Sequence, residues 1–186
     1  MKVKYNNSWV DVIRVNLVQS GFPKVKDCSY LFSEGARWAE KESVYKIIQP
    51  VNASYMFYKL PSSVNAISLQ KIDFSNTTNM AHMLHDCGGL QTIDLSGIDL
   101  RKVTDMSYMF YNCKKLETLD ISDFDLTKLS KSTTGMGIFA NCGVSTSSGL
   151  TTVYVKNKAC QDWILSLSNS SRPSNWSVAN IIIKEG

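Results

Sequence analysis

The side chains best suited to chemistry in this chain sit together: His82, His85, Asp86 and Cys87. Imidazole, carboxylate and thiol groups at such close spacing are metal ligands by type, and the two histidines are the only ones among 186 residues. Internal repetition argues against a catalytic or metal role. His82 aligns with Tyr108, His85 with Tyr111 and Asp86 with Asn112, all ordinary outward or boundary positions, while Cys87 falls on Cys113 and Cys142. No nucleophile elbow, phosphate loop, zinc spacing or paired catalytic histidine and cysteine occurs elsewhere. The expectation is a chain that is not an enzyme, with no catalytic residue, cofactor or metal.

Recognition is the stronger expectation. Asp73, Asp94 and Asp120 align, as do Gln70, Gln91 and Glu117, on what reads as the strand face turned away from the core. Parallel strands stack about 4.8 Å apart, so such carboxylates repel one another unless solvent or a cation screens them. The alternatives are a recognition stripe and a solvated polar face. Tyr154 and Lys156 take the corresponding places at the last strand, and Tyr45 and Lys46 at the first. Tyr55, Tyr58, Tyr108 and Tyr111 offer a second, convex surface, or boundary packing.

The elements that must hold these residues are repeats. Val103 to Asp120 (VTDMSYMFYNCKKLETLD) restates the stretch ending at Asp94 (TTNMAHMLHDCGGLQTID) 26 positions later. A period of about 20–50 residues marks an architecture whose units share one core. Leu90-x-x-Ile93-x-Leu95 and Leu116-x-x-Leu119-x-Ile121 read as short strands with one buried face. Met106, Met109 and Phe110 lie at helical spacing after Thr104 or Asp105 as N-cap, so each turn reads as strand, loop and short helix. Backward, Met56 and Phe57 precede Met83 and Leu84 by 27; matching Leu69, Ile72, Asp73 and Phe74 to Leu90, Ile93, Asp94 and Leu95 then makes Lys59 to Ala66 an insertion. A fainter unit at Tyr30 to Phe32 continues through Val44, Lys46 and Ile47, and a last one runs through Ile138, Phe139, Cys142, Leu150, Val153 and Val155.

These units resemble the leucine-rich repeats of BspA-type surface proteins, through Val103 to Phe110, Asn112-Cys113 and Leu116-Glu-Thr-Leu119-Asp-Ile121-Ser122 with their weaker copies. The resemblance covers about two thirds of the chain. It implies an α/β solenoid of about five turns over 27–156, and surface-exposed, non-enzymatic binding or adhesion. Residues 1–26 read as an N-terminal hairpin cap, with Lys2 to Tyr5 and Trp9 to Val15 alternating around Asn6-Asn7. That segment, KVKYNNSWVDV, also resembles hairpins of bacteriophage tail and minor structural proteins. Residues 157–186 read as a C-terminal cap: Trp163, Ile164 and Leu167 share a helix face, and Val178 to Ile183 follows as an apolar strand.

Composition sets bounds. With 44% hydrophobic and 19% charged residues the chain can build a continuous core. A net charge of +4 without a Lys/Arg run gives no support for a nucleic-acid partner. No apolar run reaches the roughly 18 residues that span a bilayer, so no membrane insertion is expected, and Met1 to Val10 lacks a signal core. Cys87, Cys113 and Cys142 recur at one repeat position and read as a buried thiol ladder rather than as disulfides. The functional expectation is a recognition or adhesion module binding a protein or glycan at a bacterial cell or virion surface. The alternative is a bacteriophage tail or other virion component that contacts neighbouring virion proteins or a receptor.

Overall fold

A computed structural model describes residues 2–5, 8–11, 25–35, 48–143 and 151–184, and its fold is α/β with mostly parallel sheet and few helices. Strands β1 (Lys2–Tyr5) and β2 (Ser8–Asp11) pair antiparallel, with Lys2 opposite Asp11 and Tyr5 opposite Ser8; the expected turn at Asn6-Asn7 lies outside the described residues. The expected continuation to Val15 lies outside the described residues, as do Val44, Tyr45, Lys46, Ile47 and Leu150. Strands β3 (Val25–Asp27) and β4 (Ile48–Asn52) pair in parallel. A second parallel sheet stacks β5 (Ala66–Ser68), β6 (Thr92–Asp94), β7 (Thr118–Asp120), β8 (Thr152–Val155) and β9 (Ile181–Ile183) in chain order. Among the described residues no helix is long and apolar enough to cross a membrane.

Register corrects the alignment of the earlier repeat. Ile67 pairs with Ile93, and Ile93 with Leu119, so one 26-residue step relates β5 to β6 and β6 to β7. Lys59 to Ala66 is therefore not an insertion, because Ala66 stands opposite Thr92. Ser68 occupies the place expected for Asp73, opposite Asp94. Asp73 falls instead 26 residues before Asp99, which is itself 26 before Asp125. These three make the same local bond, each Oδ1 accepting the N–H two residues on, from Ser75, Arg101 and Thr127.

The segments expected as short helices are successions of turns. In the unit that starts at Met80 alternate N–H groups leave the segment: Met80, His82, Leu84 and Asp86 donate to the carbonyls of Asp105, Ser107, Met109 and Tyr111 one repeat later. The intervening Met83, His85 and Cys87 donate three residues back. An α-helix needs every N–H for its own i−4 carbonyl, so bonding to the next unit excludes it. Two left-handed residues per unit permit this path: Tyr55 and Lys59, His82 and Asp86, Tyr108 and Asn112. Asp and Asn accept that conformation better than most side chains do. Asn112 Nδ2 donates to Asp86 Oδ1 (2.8 Å) and Asn141 Nδ2 to Asn112 Oδ1 (3.1 Å), a ladder of two amides and a carboxylate along the corners. A matching rail runs through Asn52, Asn79 and Asp105, joined by parallel bridges.

Three-residue strands have no stability alone. Their core supplies it: Met56, Met83 and Met109 are fully buried beside Phe57, Leu84 and Phe110, with Ile93, Leu119 and Val153 behind the sheet. All five cysteines are buried free thiols. Cys87, Cys113 and Cys142 donate to the carbonyls of Phe57, Leu84 and Phe110 in the preceding unit. Burial pushes the Cys87 thiol up to about 12 and also holds Cys113 and Cys142 neutral. Helix α1 (Lys158–Leu165), capped by Asn157 Oδ1 accepting Cys160 N–H at 3.0 Å, turns Trp163 and Ile164 inward with Leu167 just beyond it. The stretch expected as one strand from Val178 divides into a 3₁₀ turn (Val178–Asn180) and β9.

Candidate functional site

Alternation along the five-stranded sheet decides what faces out. Ile67, Ile93, Leu119, Val153 and Ile181 point into the core, leaving two outer rows. One holds Ser68, Asp94, Asp120, Tyr154 and Ile182, and the other Ala66, Thr92, Thr118 and Thr152. Gln91 and Glu117 lie at the strand starts, where Glu117 N–H donates to Gln91 O and Gln91 N–H to Asn65 O. Six of the eight sequence candidates thus belong to the sheet or its rim: Gln91, Asp94, Glu117, Asp120, Tyr154 and Lys156, which follows β8. Gln70 and Asp73 follow β5 outside these rows, exposed, and Asp73 Oδ2 accepts Gln49 Nε2 at 2.6 Å.

The aspartates do structural work of their own. Asp94 Oδ1 accepts Ser96 N–H and Oγ–H (2.8 and 2.7 Å), and Asp120 Oδ1 accepts Ser122 N–H and Oγ–H (3.0 and 2.6 Å). Each Asp-x-Ser closes the turn that ends its strand. At Asp120 a screening cation comes from the chain itself: Lys184 Nζ, just past β9, lies 2.6 Å from Asp120 Oδ2 and 6.0 Å from the Tyr154 ring centroid. Burial acts to raise the Asp120 pKa, but bonds from Lys184 and Ser122 outweigh it and hold the carboxyl below its ordinary value. Sequence reasoning missed Lys184 because it lies in the tail, outside the repeat.

A second surface is built by the turns. Tyr30, Tyr55, His82 and Tyr108 stack face to face at 4.6, 4.4 and 5.0 Å between centroids. Three residues on in each unit, Tyr58, His85 and Tyr111 form a parallel row, with His85 and Tyr111 stacked at 4.6 Å. Tyr55 meets Tyr58 edge to face, as Tyr108 meets Tyr111. The two histidines occupy the middle, with His82 Nδ1 2.9 Å from His85 Nδ1. Burial lowers both pKa values; the neighbouring His85 adds to the effect at His82, and Lys59 to that at His85, against the opposing charges of Asp105 and Asp86.

That lowering has a sign. The unfolded chain binds protons more readily than the folded one, so the pair's contribution is present above the ordinary imidazole value of about 6.5 and is lost as pH falls through the folded values. Denaturation midpoints followed between pH 7 and pH 5 are expected to drop for the natural chain, and to drop less for the His82→Tyr/His85→Tyr double variant. Equal slopes would show that the rings titrate alike in both states.

Comparison with known proteins places the chain in a family. No curated protein and no solved structure matches the chain. Residues 26–147 match the family model described as Mycoplasma protein of unknown function, DUF285, a span containing β4 to β7, both aromatic rows and the thiol ladder. With about two thirds of its length so matched, the chain belongs to the DUF285 family.

Proposed function

We propose that the chain is a non-enzymatic recognition module, a leucine-rich-repeat solenoid of the BspA type that binds a protein or glycan at a bacterial cell or virion surface. The observation that carries this reading is the constant 26-residue register from β5 to β7, which lines up polar side chains of successive units on one outer face. A backbone locked by parallel pairing presents that face with little conformational entropy left to lose on binding. Gln91, Thr92, Asp94, Glu117 and Thr118 at its centre supply donors and acceptors for a polar ligand, with Tyr154 as an aromatic neighbour.

The test is saturable binding of the whole chain to bacterial cells and to host-matrix proteins. A Gln91→Ala/Thr92→Ala/Glu117→Ala variant, which leaves the Asp turns intact, is expected to lose at least about tenfold in affinity. Undiminished binding by the folded variant would remove the outer face from the proposal.

One observation favours an architectural reading, in which the chain is a tail or other virion component. Strand β9 pairs only with β8 among the described residues; its own Ile182 is 42% exposed and Ile183 37%, and Val178 in the turn before it 60%. An open apolar edge is a docking place for a neighbour in an assembly. Purification of the chain as a stoichiometric particle component, with no cell binding by the isolated protein, would favour this alternative.

A further inference from the structure

We infer that His82 and His85 form a two-imidazole site for a borderline divalent transition ion, of the class of Ni²⁺, Cu²⁺ and Zn²⁺. The repeat alignment sets the two residues beside Tyr108 and Tyr111, and that alignment holds in the structure, but it does not display how the two rings meet. Their Nδ1 atoms stand 2.9 Å apart. Two metal–imidazole bonds of about 2.0–2.1 Å meeting near a right angle place the ligand nitrogens about 2.9 Å apart. That separation equals the spacing of cis ligands on a square-planar or octahedral ion.

The rings are held in place on both sides. Tyr55 and Tyr108 sandwich His82 with interplanar angles of 5° and 15°, and Tyr58 and Tyr111 flank His85 at 50° and 24°. Asp86 Oδ2 faces His85 Nε2 at 3.7 Å, and Asn112 fixes that carboxylate through Oδ1. A carboxylate on the far nitrogen favours the Nε2–H tautomer, which frees Nδ1 as a ligand. The negative charges of Asp86 and Asp105 nearby favour a cation, while Lys59 opposes it. Without metal, one ring donates its Nδ1 proton to the other; loading moves that proton to Nε2 of the donor ring through solvent. Among the described residues no third His, Cys, Asp or Glu converges there, so water fills the remaining positions.

Titration calorimetry on the tag-free chain with Ni²⁺ and Zn²⁺ at pH 7.5 tests the site. The expected result is saturable binding of one ion per chain, weakened at least about tenfold by His82→Tyr or by His85→Tyr. The backbone already carries tyrosine at the equivalent Tyr108 and Tyr111, with Tyr108 at φ 53° against 57° for His82, so both variants keep the fold; circular dichroism verifies this. Should one variant unfold, the other decides. Cu²⁺ should show two nitrogen ligands by electron paramagnetic resonance in the natural chain and fewer in either variant. Absence of saturable binding by the folded natural chain, or binding by the folded variants at undiminished affinity, overturns the inference.

Discussion

Phe110→Ala is expected to lower the unfolding free energy by about 3–5 kcal/mol, the usual cost of truncating a fully buried phenylalanine. Its ring is wholly inaccessible and lies against Phe139 at 5.8 Å with an interplanar angle of 3°. Its amide donates to Ile138 O in the following unit and its carbonyl accepts Cys142 Sγ–H, so the residue ties two units together through side chain and backbone alike. The cavity would open between units that cannot close it independently, because their backbone spacing is set by hydrogen bonds on both sides. Urea denaturation followed by circular dichroism measures the change. A loss under about 1 kcal/mol would mean that the neighbouring units relax into the space, against the rigidity that the pairing implies. Because no unit has a core of its own, the variant should also lose the stability of the units before Phe110, not only of the one that contains it.

The sequence made the inner ladder legible and left its register ambiguous. Met83, Met109, Cys87 and Cys113 announce themselves because equivalent positions meet at one place in the core and tolerate few side-chain types. The misplacement of Asp73 has a specific cause: the apolar pattern occurs twice in each unit, overlapping. Leu90-x-x-Ile93-x-Leu95 runs on as Leu95-x-x-Ile98-x-Leu100, and Val64-x-x-Ile67-x-Leu69 as Leu69-x-x-Ile72-x-Phe74. Either copy aligns with either other, and only the strand pairing of Ile67 with Ile93 chooses. The helical spacing of Met106, Met109 and Phe110 misled in a similar way, since turns that bury every third or fourth residue leave the same trace. What separates them is the destination of the N–H groups of Met106, Tyr108 and Phe110, which donate to Thr134, Met136 and Ile138 across the stack. Long-range pairing of that kind leaves no local mark. The aromatic rows are legible in part: Tyr55, Tyr58, Tyr108 and Tyr111 stand out as a group and the repeat alignment puts His82 and His85 at the positions of Tyr108 and Tyr111, whereas the stacking that makes the histidines the centre leaves no local mark.

Gly143→Ala is the second substitution expected to cost heavily, about 2–5 kcal/mol, and its mechanism differs from the loss of a core ring. Gly143 has φ +63°, a conformation that costs an ordinary residue about 1–2 kcal/mol. A Cβ there would stand 1.8 Å from Thr151 Oγ1 and 2.9 Å from Leu116 O. Thr151 is buried and its hydroxyl donates to that same Leu116 carbonyl at 2.6 Å, so the methyl group must break the bond in order to fit. Separating that pair inside the protein leaves a polar group unsatisfied, at about 1–3 kcal/mol. Gly97→Ala separates the two contributions, because Gly97 has φ +72° but nothing within 4 Å of the added carbon. It should cost only the backbone part, about 1–2 kcal/mol. Equal losses in the two variants by thermal or urea denaturation would show that backbone conformation alone sets the effect; a clearly larger loss at Gly143 would assign the remainder to the Thr151–Leu116 bond that joins β8 to the unit before it.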